Sequence, residues 1–241
     1  MWLNDKRVID SAISVYKKSL LDSCPHHVVI EGLFDESKIN NVIKILQNSH
    51  NWQTQKHTYS ALYVDNAEWQ KASQGQRFVQ RDVWQRTIQP PESVDSNDDP
   101  TSNFKPCIAQ EFLSYLRSDE FMSVLSRIFD VVITDINVES PDINTNYFRL
   151  GADDFIEQHA DDSPGREVCM LLYLNDDWKA NAGGEIVFMG SGDDPISIAP
   201  LLNRCILFNP SSKGSEHWVK KLNSQYSGAY RYNVTSWYWS E

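Results

Sequence analysis

The sequence of 241 residues predicts a mostly β fold with flanking helices, of the α+β class. Apolar residues recur at helical spacing only in the first half of the chain. Beyond about residue 130, short runs rich in Val, Ile, Tyr, Phe and Trp follow one another, separated by Gly, Pro and Asn. No internal repeat interrupts this order. Helices followed by a series of short strands read as an antiparallel sandwich or barrel with the helices packed on one outer face.

Ile9, Ala12, Ile13, Tyr16 and Leu20 define a first amphipathic helix, and Ile39, Val42, Ile43 and Leu46 a second, with Asp35 as its cap. Between them HHVVIEGLF reads as a strand. HTYSALYV and RFVQRDVWQR read as further strands around a polar loop, DNAEWQKASQGQ, residues 65–76. QPPESVDSNDDPTSNFKP, at about 89–106, carries Pro and turn residues without a hydrophobic period and reads as a long surface loop. Phe112, Leu113 and Leu116, then Phe121, Val124, Leu125 and Ile128, indicate two short helices. Eight strands are expected after them: VVITDINVE, NTNYFRL, FIEQHAD, EVCMLLYLN, GGEIVFMG, RCILFNP, EHWVKKL and RYNVTSWYW. The whole chain, 1–241, reads as a single domain, with helices and supporting strands over 1–130 and a β core over 131–241.

Twenty-two basic residues against 33 acidic ones leave a net charge of −11. Affinity for a nucleic-acid backbone comes from neutralising phosphates with Lys and Arg, so a nucleic-acid partner is not expected. Cys24, Cys107, Cys169 and Cys205 form no C-x-x-C pair and read as reduced thiols. No apolar run reaches about 18 residues and the start has no signal-peptide pattern, so no membrane association is expected and the location reads as cytoplasmic.

The stretch FIEQHADDSPGREV, residues 155–168, holds the chemistry. Strand side chains alternate faces, so His159 and Asp161 project to one side and Asp162 to the other. Of the other histidines only His217, in SEHWV, falls in a strand of the C-terminal sheet. His26, His27, His50 and His57 read as solvent-facing or capping side chains. Two histidines and one carboxylate form the facial set that holds non-haem Fe(II) with open positions. On the last strand Arg231, Asn233, Thr235 and Trp237 share one face, and an inward guanidinium requires an anion, best a carboxylate that matches its planar fork.

HAD at 159–161, LLYLNDDW at 171–178, GGEI at 183–186, His217 and RYNVTSWYW from Arg231 together resemble the prolyl-4-hydroxylase-like dioxygenases dependent on Fe(II) and 2-oxoglutarate, and most of all the protein prolyl hydroxylases. The matching region runs from about Tyr147 to Trp239. The resemblance implies a double-stranded β-helix, the cupin-like jelly-roll, with N-terminal and mid-chain helices on one sheet. It implies His159, Asp161 and His217 as iron ligands, Arg231 and Tyr173 as partners of the distal 2-oxoglutarate carboxylate, and Tyr147 near the cosubstrate. Trp237, Arg166 and Thr235 would line the substrate pocket, with no catalytic residue beyond the metal ligands. The fourteen-residue step from His217 to Arg231 is long for the family and includes Lys220 and Lys221, which compete with Arg231 as the clamp.

The activity implied is hydroxylation of an aliphatic C–H with Fe(II), 2-oxoglutarate and O2, releasing succinate and CO2, with ascorbate as a possible reductant. A prolyl residue of a protein or peptide is the expected target. A free or carrier-bound amino acid or other small molecule is the alternative within this chemistry, and a cupin-like metal-binding module without oxygenase activity lies outside it. The 65–76 segment stands where relatives have a mobile substrate-covering loop and is a candidate lid.

Overall fold

In the computed structural model, residues 1–86, 106–192, 194–226 and 228–240 are described. Most of the loop expected at 89–106 therefore lies outside the described residues. Helix α1, Asp10–Asp22, turns Ile13, Tyr16 and Leu20 inward. Helix α2, Glu36–Asn48, begins at Asp35, whose side chain accepts the Lys38 N–H at 2.9 Å. Between them runs β1, His27–Glu31. Strand β2, Trp52–Thr58, helix α3, Asn66–Lys71, and β3, Arg77–Trp84, follow. Helices α4, Ile108–Tyr115, and α5, Asp119–Phe129, supply the remaining helical face.

The later strands are β4, Ile133–Thr134, β5, Thr145–Leu150, β6, Phe155–His159, and β7, Arg166–Tyr173. They continue with β8, Ile186–Phe188, β9, Ile196–Ile198, β10, Arg204–Phe208, β11, His217–Val219, and β12, Arg231–Ser240. Hydrogen bonding runs in the order β1-β10-β7-β12-β5-β3-β6-β11-β8-β9, with β2 added to β3 and β4 to β12, and every pairing is antiparallel. The curled sheet is a jelly-roll.

Alternation along the central strands divides the interior in two. On β7, Val168, Met170 and Leu172 enter the core shared with the helices, while Cys169, Leu171 and Tyr173 enter a second cluster with Ile186, Phe188, Ile206 and Phe208. Burial on both faces is why this strand reads as an unbroken apolar run rather than an alternating one. On β12 the helix side takes Tyr232, Val234 and Tyr238, leaving Arg231, Asn233 and Thr235 on the other face.

Three expectations need correction. HTYSALYV is not a strand: β2 begins upstream, in the polar WQTQKHT, and the chain reverses after Thr58 in a turn closed by the Thr58–Ala61 bridge, with Tyr63 at φ +59°. An edge strand that pairs only β3 needs little apolar alternation, so its signal was weak. DNAEWQKASQGQ is not an open loop, because Asp65 caps α3 and Trp69 is buried beneath the Arg77 guanidinium, 4.8 Å above its ring. VVITDINVE contributes only the two residues of β4, while β9 was not expected because its three residues stand between turns.

Leu172 is fully buried against the helices. Leu172→Ala should lower unfolding free energy by about 2–5 kcal/mol, measured by urea denaturation.

Candidate active site

A cavity of about 720 Å³ opens on the face of the sheet away from the helices. At its inner end β6 and β11 pair, with His159 directly opposite His217. Asp161 follows β6 on the same side. The ligand atoms of these three residues lie within 4.8 Å of one another. His159 Nε2 stands 3.8 Å from Asp161 Oδ1, and His217 Nε2 3.9 Å from Asp161 Oδ2. Asp162 points elsewhere, accepting from the Ser211 hydroxyl at 2.6 Å.

The donors are prepared for a cation. Each imidazole Nδ1 lies 2.9 Å from a carbonyl oxygen, that of Glu157 for His159 and that of Ser215 for His217. A carbonyl accepts only, so the proton sits on Nδ1 and the Nε2 lone pair faces the centre. Burial pushes the His217 pKa down to about 4, which keeps this ring neutral near pH 7. Burial alone would raise the Asp161 carboxyl, but His217, His159, the Trp237 N–H and Arg166 together bring it below the usual carboxylate value. The Trp237 indole donates to Asp161 Oδ2 at 3.0 Å and holds one oxygen in place. The set therefore fits an iron(II) ion: two neutral nitrogens and one anionic oxygen on one side, with the cavity on the other.

In the same cavity, Arg231 is 1% exposed. Its Nε donates to the Gly184 carbonyl at 2.7 Å, Nη1 to Asn233 Oδ1 at 2.7 Å and Nη2 to the Tyr173 hydroxyl at 3.2 Å. Gly184, at φ +76°, lets its backbone come this close, since a Cβ would stand 3.1 Å from Arg231 Cδ. Among the described residues no carboxylate lies within ion-pair distance of Arg231, and Glu185 acts on it only at longer range. Lys220 and Lys221 are exposed and do not line the cavity. The guanidinium available to an anion there is that of Arg231.

Trp237, Thr235 and Arg166 also line the cavity. Arg166 bonds the Asp161 carbonyl and sits 5.7 Å over the Trp237 ring. Tyr147 does not join them. It pairs with Val234, whose side chain faces the helices, so the register puts Tyr147 on the opposite face from Arg231; its hydroxyl donates to the Ala109 carbonyl at 2.8 Å.

Two cavity residues escaped the sequence. His57 is 8% exposed rather than solvent-facing, packed 4.9 Å from the Tyr63 ring, and its Nε2 is buried without a partner. Burial, then Arg81 and His159, lower its pKa to about 4. Arg81 shares a parity with Val79 and Val83 on β3, and a charge set between two apolar residues of one face was the available signal.

The sequence profile described as "2OG-Fe(II) oxygenase superfamily" matches residues 145–239, which hold all three metal-competent side chains and Arg231. That stretch is similar to the core of a 2OG-Fe(II) oxygenase. Solved oxygenases share its fold: a Trichoplax adhaerens prolyl hydroxylase in complex with a hypoxia inducible factor peptide fragment, at 18% identity and TM-score 0.61 over 98% of this chain and 96% of that one. An oxidoreductase of the 2OG-Fe(II) oxygenase family from Burkholderia pseudomallei follows at 16% and 0.60, over 97% and 93%. A Pseudomonas putida prolyl-4-hydroxylase gives 12% and 0.58, over 95% and 99%. No curated protein matches this chain in sequence. The matched family works with Fe(II), 2-oxoglutarate and O2.

Replacing His159, Asp161 or His217 by Ala should abolish Fe(II) binding, read by anaerobic metal titration, with circular dichroism unchanged. Asp162→Ala should bind iron normally, because its carboxylate is turned to Ser211.

Proposed function

We propose that this 2-oxoglutarate-dependent dioxygenase hydroxylates an aliphatic C–H of a prolyl residue in a protein or peptide, releasing succinate and CO2. The observation that carries the cosubstrate assignment is Arg231, a buried fork without a carboxylate partner among the described residues. A five-carbon dicarboxylate bound at the metal through its keto-acid end presents its second carboxylate to such a group. A metal-binding module without oxygenase activity has no use for it. His159, Asp161 and His217 would hold Fe(II), which with 2-oxoglutarate and O2 would supply the oxidant.

Each remaining residue has a part in binding or orientation. Arg231 and Tyr173 take the distal carboxylate, Asn233 steadies Arg231, and Thr235 continues the same wall. Trp237 fixes the orientation of Asp161 and, with Arg166, forms the wall beside the target carbon. The apolar packing of Leu171, Ile186 and Val219 keeps bulk water from the inner cavity.

A peptide target is supported by the mouth. The turn after β2 exposes Tyr59, Leu62 and Tyr63 at 60%, 68% and 72%. Such a rim suits an extended chain more than a closed small-molecule pocket. The Trichoplax adhaerens relative is itself in complex with a peptide fragment. Among the described residues no helix is long and apolar enough to cross a membrane.

Arg231→Ala should raise the 2-oxoglutarate requirement tenfold or more, about 1.4 kcal/mol per decade, while Fe(II) affinity is retained. Arg231→Lys should be intermediate, Tyr173→Phe milder, and Lys220→Ala and Lys221→Ala without effect. The readout is the visible charge-transfer band of the Fe(II)–2-oxoglutarate chelate under anaerobic titration. An unchanged requirement in Arg231→Ala would overturn the assignment.

A further inference from the structure

The cavity is positively charged in a protein whose overall charge is −11. Three arginines line it, Arg81, Arg166 and Arg231, against the single carboxylate of Asp161. If the reading above holds, Arg231 meets the cosubstrate. Arg166 donates through Nη1 to the Asp161 carbonyl and packs on the Trp237 and Trp239 rings, where it supports the metal-ligand segment, with its Nε buried without a partner. Arg81 remains.

Its position follows from the topology. Strand β3 pairs with β5 through Asp82 and Val83 and with β6 through Val79 and Gln80, so Arg81 stands where β3 passes from one neighbour to the other. That places it between the strand that leads to the metal ligands and the strand next to β12. The guanidinium lies flat on Phe148, 3.5 Å from the ring centroid, a stacking that holds its plane. Only Nε has a protein partner, the Gln55 side chain at 3.4 Å, so neither Nη has a hydrogen bond among the described residues. No carboxylate lies within ion-pair distance of it among those residues. Burial lowers its pKa to about 10, with Asp161 and Tyr63 favouring the charge and Arg231 opposing it, so it remains charged near pH 7. A held, part-buried cation with two donor groups unused by the protein is an anion site.

We propose that Arg81 binds a carboxylate carried by the substrate to be oxidised, next to the target carbon. The cosubstrate does not require it, because one 2-oxoglutarate carboxylate is assigned to Arg231 and the other to the cation. Arg81 also belongs to the mouth side. It pairs across to Gln55 on β2, two residues from His57 and just ahead of the turn that exposes Tyr59, Leu62 and Tyr63. The carboxylate can be the α-carboxylate of a free amino acid or an acidic side chain beside a proline in a peptide; the chemistry of recognition is the same.

The test uses the anaerobic Fe(II)–2-oxoglutarate complex of the full chain and follows its visible band as probes are added. The probes are the protein amino acids, each with its α-amide, and proline-containing tetrapeptides carrying Asp or Asn beside the proline. At least one acid should perturb the band with about tenfold or greater preference over its neutral partner, and Arg81→Gln should remove that preference. Arg81→Lys should restore part of it, having charge without the fork. Preference among the free acids identifies the α-carboxylate, and preference among the tetrapeptides the acidic side chain. The proposal fails if no acid is preferred to its amide, or if Arg81→Gln keeps the preference. It also fails if Arg81→Gln weakens 2-oxoglutarate binding tenfold, since the carboxylate at Arg81 would then be the cosubstrate's. Absence of the band in the unmodified protein would instead sink the oxygenase reading itself.

Discussion

The pairing of β12 between β5 and β7 is the constraint on which the rest depends. Ten residues long, this strand is hydrogen-bonded on both edges and buried on both faces over most of its length. Its helix side is locked by Tyr232, Val234 and Tyr238, the last donating to the Leu116 carbonyl at 2.9 Å. The other side has no freedom left. Arg231, Asn233, Thr235 and Trp237 must enter the cavity, and a slip of one residue would exchange them for the core set. The clamp, its hydrogen-bond support and the indole on Asp161 thus share one register, which is protected by apolar packing on the opposite face.

Strands with a strict period were legible in the sequence. His159, Asp161 and Arg231 could be placed because alternation along FIEQHAD and RYNVTSWYW assigns faces without knowledge of the partner strands, and His217 because no other remaining histidine fell in a strand of the C-terminal sheet. Tyr147 could not be placed in the same way. Its own strand alternates, but which face meets the cavity is decided by pairing with β12, and register is a non-local property. His57 was obscured by its surroundings: WQTQKHT is mostly polar, so the edge strand carrying it had no visible parity. Arg81 lay in a strand that was recognised, yet a charge among apolar residues can mark an edge or bulge as readily as a cavity until the neighbouring strands are known.

Electrostatics explain how the site can be open and still bury charge at its base. Arg231 is desolvated but receives three hydrogen-bond acceptors, among them a backbone carbonyl made reachable by Gly184. Asp161 is desolvated between two imidazoles, an indole and Arg166. Neither charge is left bare, and each keeps an unused valence directed at the cavity. Burial raises the cost of these charges and also strengthens what they can bind, because water no longer screens the contact.

The two ends of the cavity are built on supports of different stiffness. Arg231 and Tyr173 sit on β12 and β7, the best-packed strands, whereas His57 and the exposed turn belong to β2, an edge strand attached through β3 alone. Changes in that hairpin can alter what enters the mouth without reaching the strands that carry the dicarboxylate clamp. The architecture separates a firmly braced engine from a peripheral fitting, so one edge hairpin can be rewritten to change what enters while the oxidative machinery stays intact.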